Sequence, residues 1–181
     1  ARYAKDADVL DIFSYVGGFG VSAAAAGAKS VTFIDASAQA LAFAEENARA
    51  NAPGCEAQTL CGDAFDLLRQ LRDDGRRFQV ISLDPPAFIK RRKDAALGLA
   101  AYRQANDLAV QLLAPGGILA TSSCSHHLEV QALRGCLTHA ATKRKLHARI
   151  LFAGGQGPDH PIHAAMPETA YLKCFIAQVG A

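Results

Sequence analysis

The stretch Val9-Leu10-Asp11-Ile12-Phe13-Ser14-Tyr15-Val16-Gly17-Gly18-Phe19-Gly20 decides the fold. Its apolar opening, residues 9–13, reads as a buried strand, and the glycines after it let the backbone turn sharply and approach a ligand without a Cβ in the way. A helix N-terminus follows, which favours an anionic group. Gly18-x-Gly20-x-x-Ala23 fits the dinucleotide fingerprint literally, and Asp35 stands at the end of the next apolar run, where a carboxylate accepts from ribose hydroxyls. Glycines after a strand also suit a plain tight turn.

Apolar runs bounded by turn residues place strands at residues 9–13, 31–35, 57–60, 78–83, 118–122, 148–152 and 172–179. Helical patterns alternate with them. Ser37 caps one helix, with Ala40, Leu41, Ala44 and Ala48 on one face, and Phe65, Leu68 and Leu71 mark a second. A third runs from about residue 97 to 113 and stops at Pro115-Gly116-Gly117. This alternation predicts an α/β, Rossmann-like fold: a seven-stranded, mostly parallel sheet with right-handed crossovers and helices on both faces. Residues 154–158, Gly-Gly-Gln-Gly-Pro, form an irregular loop.

At 181 residues and 50% hydrophobic content, the chain makes one domain over residues 1–181 with a full core. The absence of a starting methionine or signal pattern reads as a fragment of a longer protein. No apolar stretch nears the ~18 residues that span a bilayer, so no membrane is expected and a cytoplasmic location is the default. Cys55, Cys61, Cys124, Cys136 and Cys174 are odd in number and lack Cys-x-x-Cys spacing, which argues against disulfides and against a metal site. A net charge of +2 decides nothing by itself. Its placement says more, since Lys90-Arg91-Arg92-Lys93 follows a strand end and suits a nucleic-acid backbone as well as a solvated face.

That strand end is Asp84-Pro85-Pro86-Ala87. Open α/β sheets bind ligands at the carboxyl ends of their strands, and two prolines hold the chain stiff where a flat ring can lie against it. A plain turn is the alternative. Asp63, in Cys61-Gly62-Asp63-Ala64, either caps the following helix or meets an adenine edge. A Gly-rich first loop, an acid after strand two, Asp63 after strand three and Asp-Pro-Pro after strand four form an ordered series that resembles the S-adenosylmethionine-dependent methyltransferases. The resemblance implies that Phe13, Ser14, Tyr15, Gly17 and Gly18 approach the methionine part of the cofactor. Asp35, with Ala36 and Ser37, would hold the ribose, Asp63 and Ala64 would meet the adenine, and Asp84 would complete the pocket.

Cys124, in Thr121-Ser122-Ser123-Cys124-Ser125-His126-His127, bears on the acceptor. Cytosine C5 is a poor nucleophile until a thiolate adds at C6, so a strand-end cysteine has a chemical task there. Asp84 would then bond the cytosine edge and stabilise the ring as the thiolate adds. An exocyclic amine needs no thiolate, and enzymes of that type place an aromatic directly after the two prolines. Here that position is Ala87, and Phe88 comes one later. Cys124 as a small core residue is the plain alternative. Cys55 and Cys136 have no such context, and Cys174 is expected in the core. The two histidines are expected to begin a helix at the surface and receive no role.

Phe13-Ser14-Tyr15-x-Gly17-Gly18-Phe19, Asp84-Pro85-Pro86-x-Phe88, Ser123-Cys124-Ser125, Asp159-His160-Pro161 and Pro167-Glu168-x-x-Tyr171-Leu172-Lys173 together resemble the bacterial large-subunit (23S) ribosomal RNA cytosine-C5 methyltransferases, in order and over nearly the whole chain. That resemblance implies S-adenosyl-L-methionine as cofactor and Cys124 as nucleophile, with Pro85, Pro86, Phe88, Lys90 and Arg91 placed beside a single-stranded or flipped RNA base, while His160 either lines the substrate pocket or belongs to a structural turn. Family members carry an RNA-binding PUA domain and a linking domain ahead of the catalytic one, and both are absent from this sequence. The chain lacks the second cysteine that RNA cytosine methyltransferases place after strand four, so the base that takes the C5 proton is unassigned. Three readings stand side by side: cytosine C5, an exocyclic amine of guanine or adenine, and a non-catalytic nucleotide-binding module. The oligomeric state is open, a homodimer included.

Overall fold

Short runs rich in valine, isoleucine and phenylalanine form the centre of the sheet in a computed structural model that describes residues 2–181. They are β1 (Asp8–Ile12), β2 (Ser30–Asp35), β3 (Glu56–Cys61) and β4 (Phe78–Leu83), joined by α1 (Gly18–Ala25), α2 (Ala38–Asn51) and α3 (Ala64–Asp73). Then come α4 (Ala95–Leu112), β5 (Leu113–Ser123), α5 (Val130–Thr142), β6 (His147–Gly154) and β7 (Lys173–Gly180). The seven strands lie in the order β3-β2-β1-β4-β5-β7-β6. The first five pair in parallel, and β7 runs antiparallel to both β5 and β6. The order reverses between β1 and β4, and their outgoing loops part there to leave a crevice.

Local chemistry sets the helix starts as expected. Ser37 Oγ accepts from the Ala40 amide at 3.2 Å, and Asp63 accepts from the Phe65 and Asp66 amides at 2.9 and 3.1 Å. Each cap contributes about 1 kcal/mol. Elsewhere the boundaries move. Phe13 leaves β1 with a positive φ of 62°, so the strand ends one residue early. Pro115-Gly116-Gly117 does not separate α4 from its strand. The helix passes directly into β5, and residues 114–117 bulge, because Phe78 pairs with Leu113 while Val80 already pairs with Ile118. The adjacent histidines 126 and 127 lie in a turn, and α5 begins only at Val130.

Two apolar layers sandwich the sheet. On one side α3, α4 and α5 bury Leu10, Ile12, Ile34, Ile81, Leu83, Leu119 and Phe175; on the other α1 and α2 bury Val9, Val31 and Phe33. Helices do cover both faces, but unequally. Across β4, β5 and β7 the α1 side is only half covered, and Val80, Ile118, Ala120, Cys174 and Ile176 are half-buried there. Cys174 is therefore not the core residue the sequence suggested, since strand alternation turns it toward this thinner face.

Candidate active site

Loops leaving β1, β2, β3 and β4 enclose a cavity of about 380 Å³ whose wall includes Phe13, Tyr15, Asp35, Ala36, Gly62, Asp63, Ala64, Asp84 and Pro86. Its size suits a small-molecule ligand. The Asp35 carboxylate organises the first loop, accepting from the Tyr15 amide and the Ser37 amide, each at 2.9 Å. A carboxylate offers about four acceptor positions, so this still leaves room for ribose hydroxyls. Tyr15 and Phe13 are non-glycine residues with φ of 50° and 62°. Such backbone costs of order 1 kcal/mol or more and persists at sites that need the geometry. Gly17 takes φ of 86°, and a Cβ there would meet Ala44 and Phe33 at 3.0 Å, whereas the space beside Gly18 is open. Gly18 is thus the glycine whose backbone a ligand can reach.

Two polar atoms here are buried with no partner, Ser14 Oγ and Asp11 Oδ1. Buried polar groups are nearly always paired, so both are exceptions beside the first loop. Asp11 was not singled out in the sequence. Its other oxygen accepts from the Gly20 amide at 2.8 Å and ties the glycine loop to β1. Burial pushes its carboxyl up to about 6, the Gly20 amide and Ser82 hold it down, and the charges of Asp84 and Asp35 push it further up. Asp35 and Asp84 line the crevice with Asp11 buried within their electrostatic reach, a field that favours a cationic ligand over an anionic one. A sulfonium cofactor with an α-ammonium group fits that field, and a pyrophosphate does not.

Asp84 is the wall shared with a second cavity. This one, about 250 Å³, lies on the thinner side of the sheet and is bounded by Phe19, Ser82, Ser122, Phe152, Gly155, Leu172, Lys173 and Cys174 as well as Asp84. Ser122 Oγ donates to Asp84 Oδ1, and no ion pair joins Asp84 to Lys90 among the described residues. The carboxylate is thus free to face both cavities. Cys124 stands one residue past β5, half-buried, and lines neither cavity. Burial raises its thiol, the charge of Asp84 raises it further, and its own backbone and Lys173 pull it down. Cys174 is closer to the second cavity, and burial with Asp84 pushes its thiol up to about 11.

The acceptor residues expected from sequence are only partly gathered. Pro85 is buried and Pro86 borders the first cavity. Phe88 turns inward instead, with ring centroids 4.9 Å from Tyr102, 6.0 Å from Phe13 and 6.1 Å from Phe65. Its role is to brace the Asp-Pro-Pro loop against α4. Lys90 and Arg91 are exposed, Arg91 pairing with Asp94 at 2.9 Å. His160 is exposed beside Asp159 at 3.0 Å and borders neither cavity. Among the described residues no cluster of His, Cys, Asp or Glu is arranged to hold a metal, and no helix is long and apolar enough to cross a membrane.

Comparison with known proteins agrees with this geometry. The family described as "Conserved hypothetical protein 95" matches residues 1–145. "Ribosomal RNA large subunit methyltransferase I" of Klebsiella pneumoniae is 38% identical over 179 residues, 98% of this chain and 45% of that protein. The protein of the same name from Shewanella denitrificans is 41% identical over 180 residues, 99% of this chain and 45% of its own length. The chain thus spans about half the length of the curated relatives it matches. Among solved structures, a methyltransferase crystallised as a complex with SAH superposes with a TM-score of 0.83 at 23% identity, over 97% of this chain and 46% of that one. The fold is that of the class I methyltransferases.

Proposed function

We propose that the chain, which belongs to the family described as "Conserved hypothetical protein 95" and in which Asp84 borders both cavities described above, is the catalytic part of an S-adenosylmethionine-dependent ribosomal RNA methyltransferase acting at cytosine C5. The shared wall at Asp84 is the observation that carries this reading. A donor on one side and an acceptor on the other are what direct group transfer requires. The curated relatives named for ribosomal RNA large-subunit methylation supply the substrate class.

The first cavity would take the cofactor. Asp35 faces the ribose, Asp63 and Ala64 the adenine, and Ser14 and the open backbone at Gly18 the amino-acid end. When bound, S-adenosylmethionine supplies an electrophilic methyl group. On the acceptor side Asp84, kept oriented by Ser122, bonds the cytosine edge. The Cys124 thiolate adds to C6, C5 accepts the methyl, a base removes the C5 proton, and elimination returns the thiolate. A water held near Asp84 would be one acceptor for that proton. Lys90 and Arg91 meet the RNA backbone as exposed charges, which gives binding that weakens in salt.

In the full-length protein, RNA substituted with 5-fluorocytosine should trap a covalent adduct that Cys124→Ala cannot form. An alanine variant that methylates as well as the parent overturns the thiolate reading. One observation favours a second reading, an exocyclic amine acceptor: Cys124 lines neither cavity, and its thiol is raised in the free protein. Nuclease digestion of the product and mass spectrometry of the nucleosides separate the two.

A further inference from the structure

Lys173 opens β7 directly opposite Ser123, the last residue of β5. It is only 6% exposed, yet among the described residues no carboxylate lies within ion-pair distance of it. Its Nζ instead donates to two carbonyls of the loop after β5, Ser125 at 2.6 Å and Leu128 at 2.7 Å. A buried ammonium is costly unless its charge is met, and carbonyl dipoles meet only part of it. What this position lacks is an anion.

The same loop is held from α4. Ser123 Oγ donates to the Tyr102 hydroxyl at 2.8 Å, that hydroxyl bonds Ser125 Oγ at 2.8 Å, and Ser125 Oγ accepts from the Ile89 amide at 3.1 Å. The Ser125 amide closes the ring onto Ser123 Oγ at 3.0 Å. Both serines flanking Cys124 are fully buried in this network, at 1% and 0% exposure, and Cys124 between them is half-buried. Two fixed neighbours leave the thiol little freedom, as a nucleophile that must meet one ring carbon requires.

Resting on the reading of Cys124 as nucleophile, we propose that Lys173 is its positioning residue: the ammonium pins the 125–128 turn that aims the thiol and supplies the positive charge beside which a thiolate forms. The ionisable groups bearing on the pair are Asp84 from the end of β4, Glu129 ahead of α5, and Cys174 next to Lys173, which shares with Cys124 the raising charge of Asp84. Burial lowers the Lys173 ammonium, while Glu129 and Cys124 raise it. Reciprocally, Lys173 opposes the rise that burial and Asp84 impose on the thiol. Thiolate formation and retention of the lysine charge are therefore coupled.

The test reads the thiol itself, apart from methylation. In the full-length protein, the rate of Cys124 alkylation by iodoacetamide, followed against pH by peptide mass spectrometry, should move to higher pH in Lys173→Met. A profile displaced by about one pH unit makes alkylation near neutral pH about tenfold slower. A folded Lys173→Met with an unmoved profile overturns the inference and leaves the nucleophile reading standing, because that reading falls only if Cys124→Ala retains activity. Should the methionine variant not fold, nitrogen-15 NMR of the Lys173 side chain gives the reciprocal measurement. Cys124→Ser should lower the pH at which Lys173 titrates, and an unchanged titration overturns the inference equally.

Discussion

Asp11→Asn should make the free protein more stable, and only on the alkaline side. Asp11 is 1% exposed, and its carboxyl is pushed from 3.8 in the unfolded chain to about 6 in the fold. The folded state therefore binds more protons than the unfolded state between those two values, so stability falls as pH rises through that window. Above about 6 the loss is complete, and a gap of roughly two pH units between the folded and unfolded carboxyl corresponds to about 3 kcal/mol. Asparagine escapes this penalty while keeping an oxygen for the Gly20 amide. The stability advantage of the variant should then grow by about 2 kcal/mol between about pH 4.5 and about pH 7.5. In a chain of this size that is a relative gain of about 4–8 °C in melting temperature. Urea titrations of parent and variant at the two pH values provide the check. A constant difference between them would refute the argument, since it would mean that Asp11 ionises in the fold as it does in water. The gain should carry a functional cost, because removing the buried charge behind Asp35 and Asp84 weakens the field that favours a cationic ligand.

S-adenosylhomocysteine should raise the melting temperature, by about 2.7 kcal/mol of stabilisation at a hundredfold excess over its dissociation constant, and NAD should not; the reverse result would mean that the glycine loop serves a dinucleotide. Gly20→Ala should destabilise by about 1–3 kcal/mol in urea unfolding, because its Cβ would meet Phe33 at 2.3 Å and Val31 at 2.9 Å. An unaffected Gly20→Ala would show that α1 does not press on β2 as described.

Much of this was legible because it rests on local chemistry. The alternation of apolar runs and helical faces gives the strands, Ser37 and Asp63 announce their helices, and Asp84-Pro85-Pro86 stands out at a strand end. What escaped has one cause: a charged residue inside an apolar run is invisible to periodicity until the topology shows what it meets. Asp11 and Lys173 each sit in a strand, and each is buried and fixes a loop. A carboxylate amid Val9, Leu10, Ile12 and Phe13 was a usable signal, since a central parallel strand is buried on both faces and an ion there needs a reason. Tyr102 gave no signal, because its hydroxyl finds Ser123 and Ser125 only through the packing of α4 on β5. Phe88 shows the opposite case: its place in a motif suggested a ligand contact, and the structure adds the aromatic packing of its half-buried ring.

The place of β7 has a consequence for the order of events on the ribosome. This strand follows β6 in sequence yet lies between β5 and β6, so β6 has no partner in the sheet until residues 173–180 have been made. Lys173 arrives with that same strand. A nascent chain can thus assemble the cavity bordered by the loops after β1 to β4 while the loop after β5 still lacks its contacts with Lys173. Synthesis of β7 then closes the sheet and, on the proposed role of Lys173, brings that anchor to the loop after β5 in the same step.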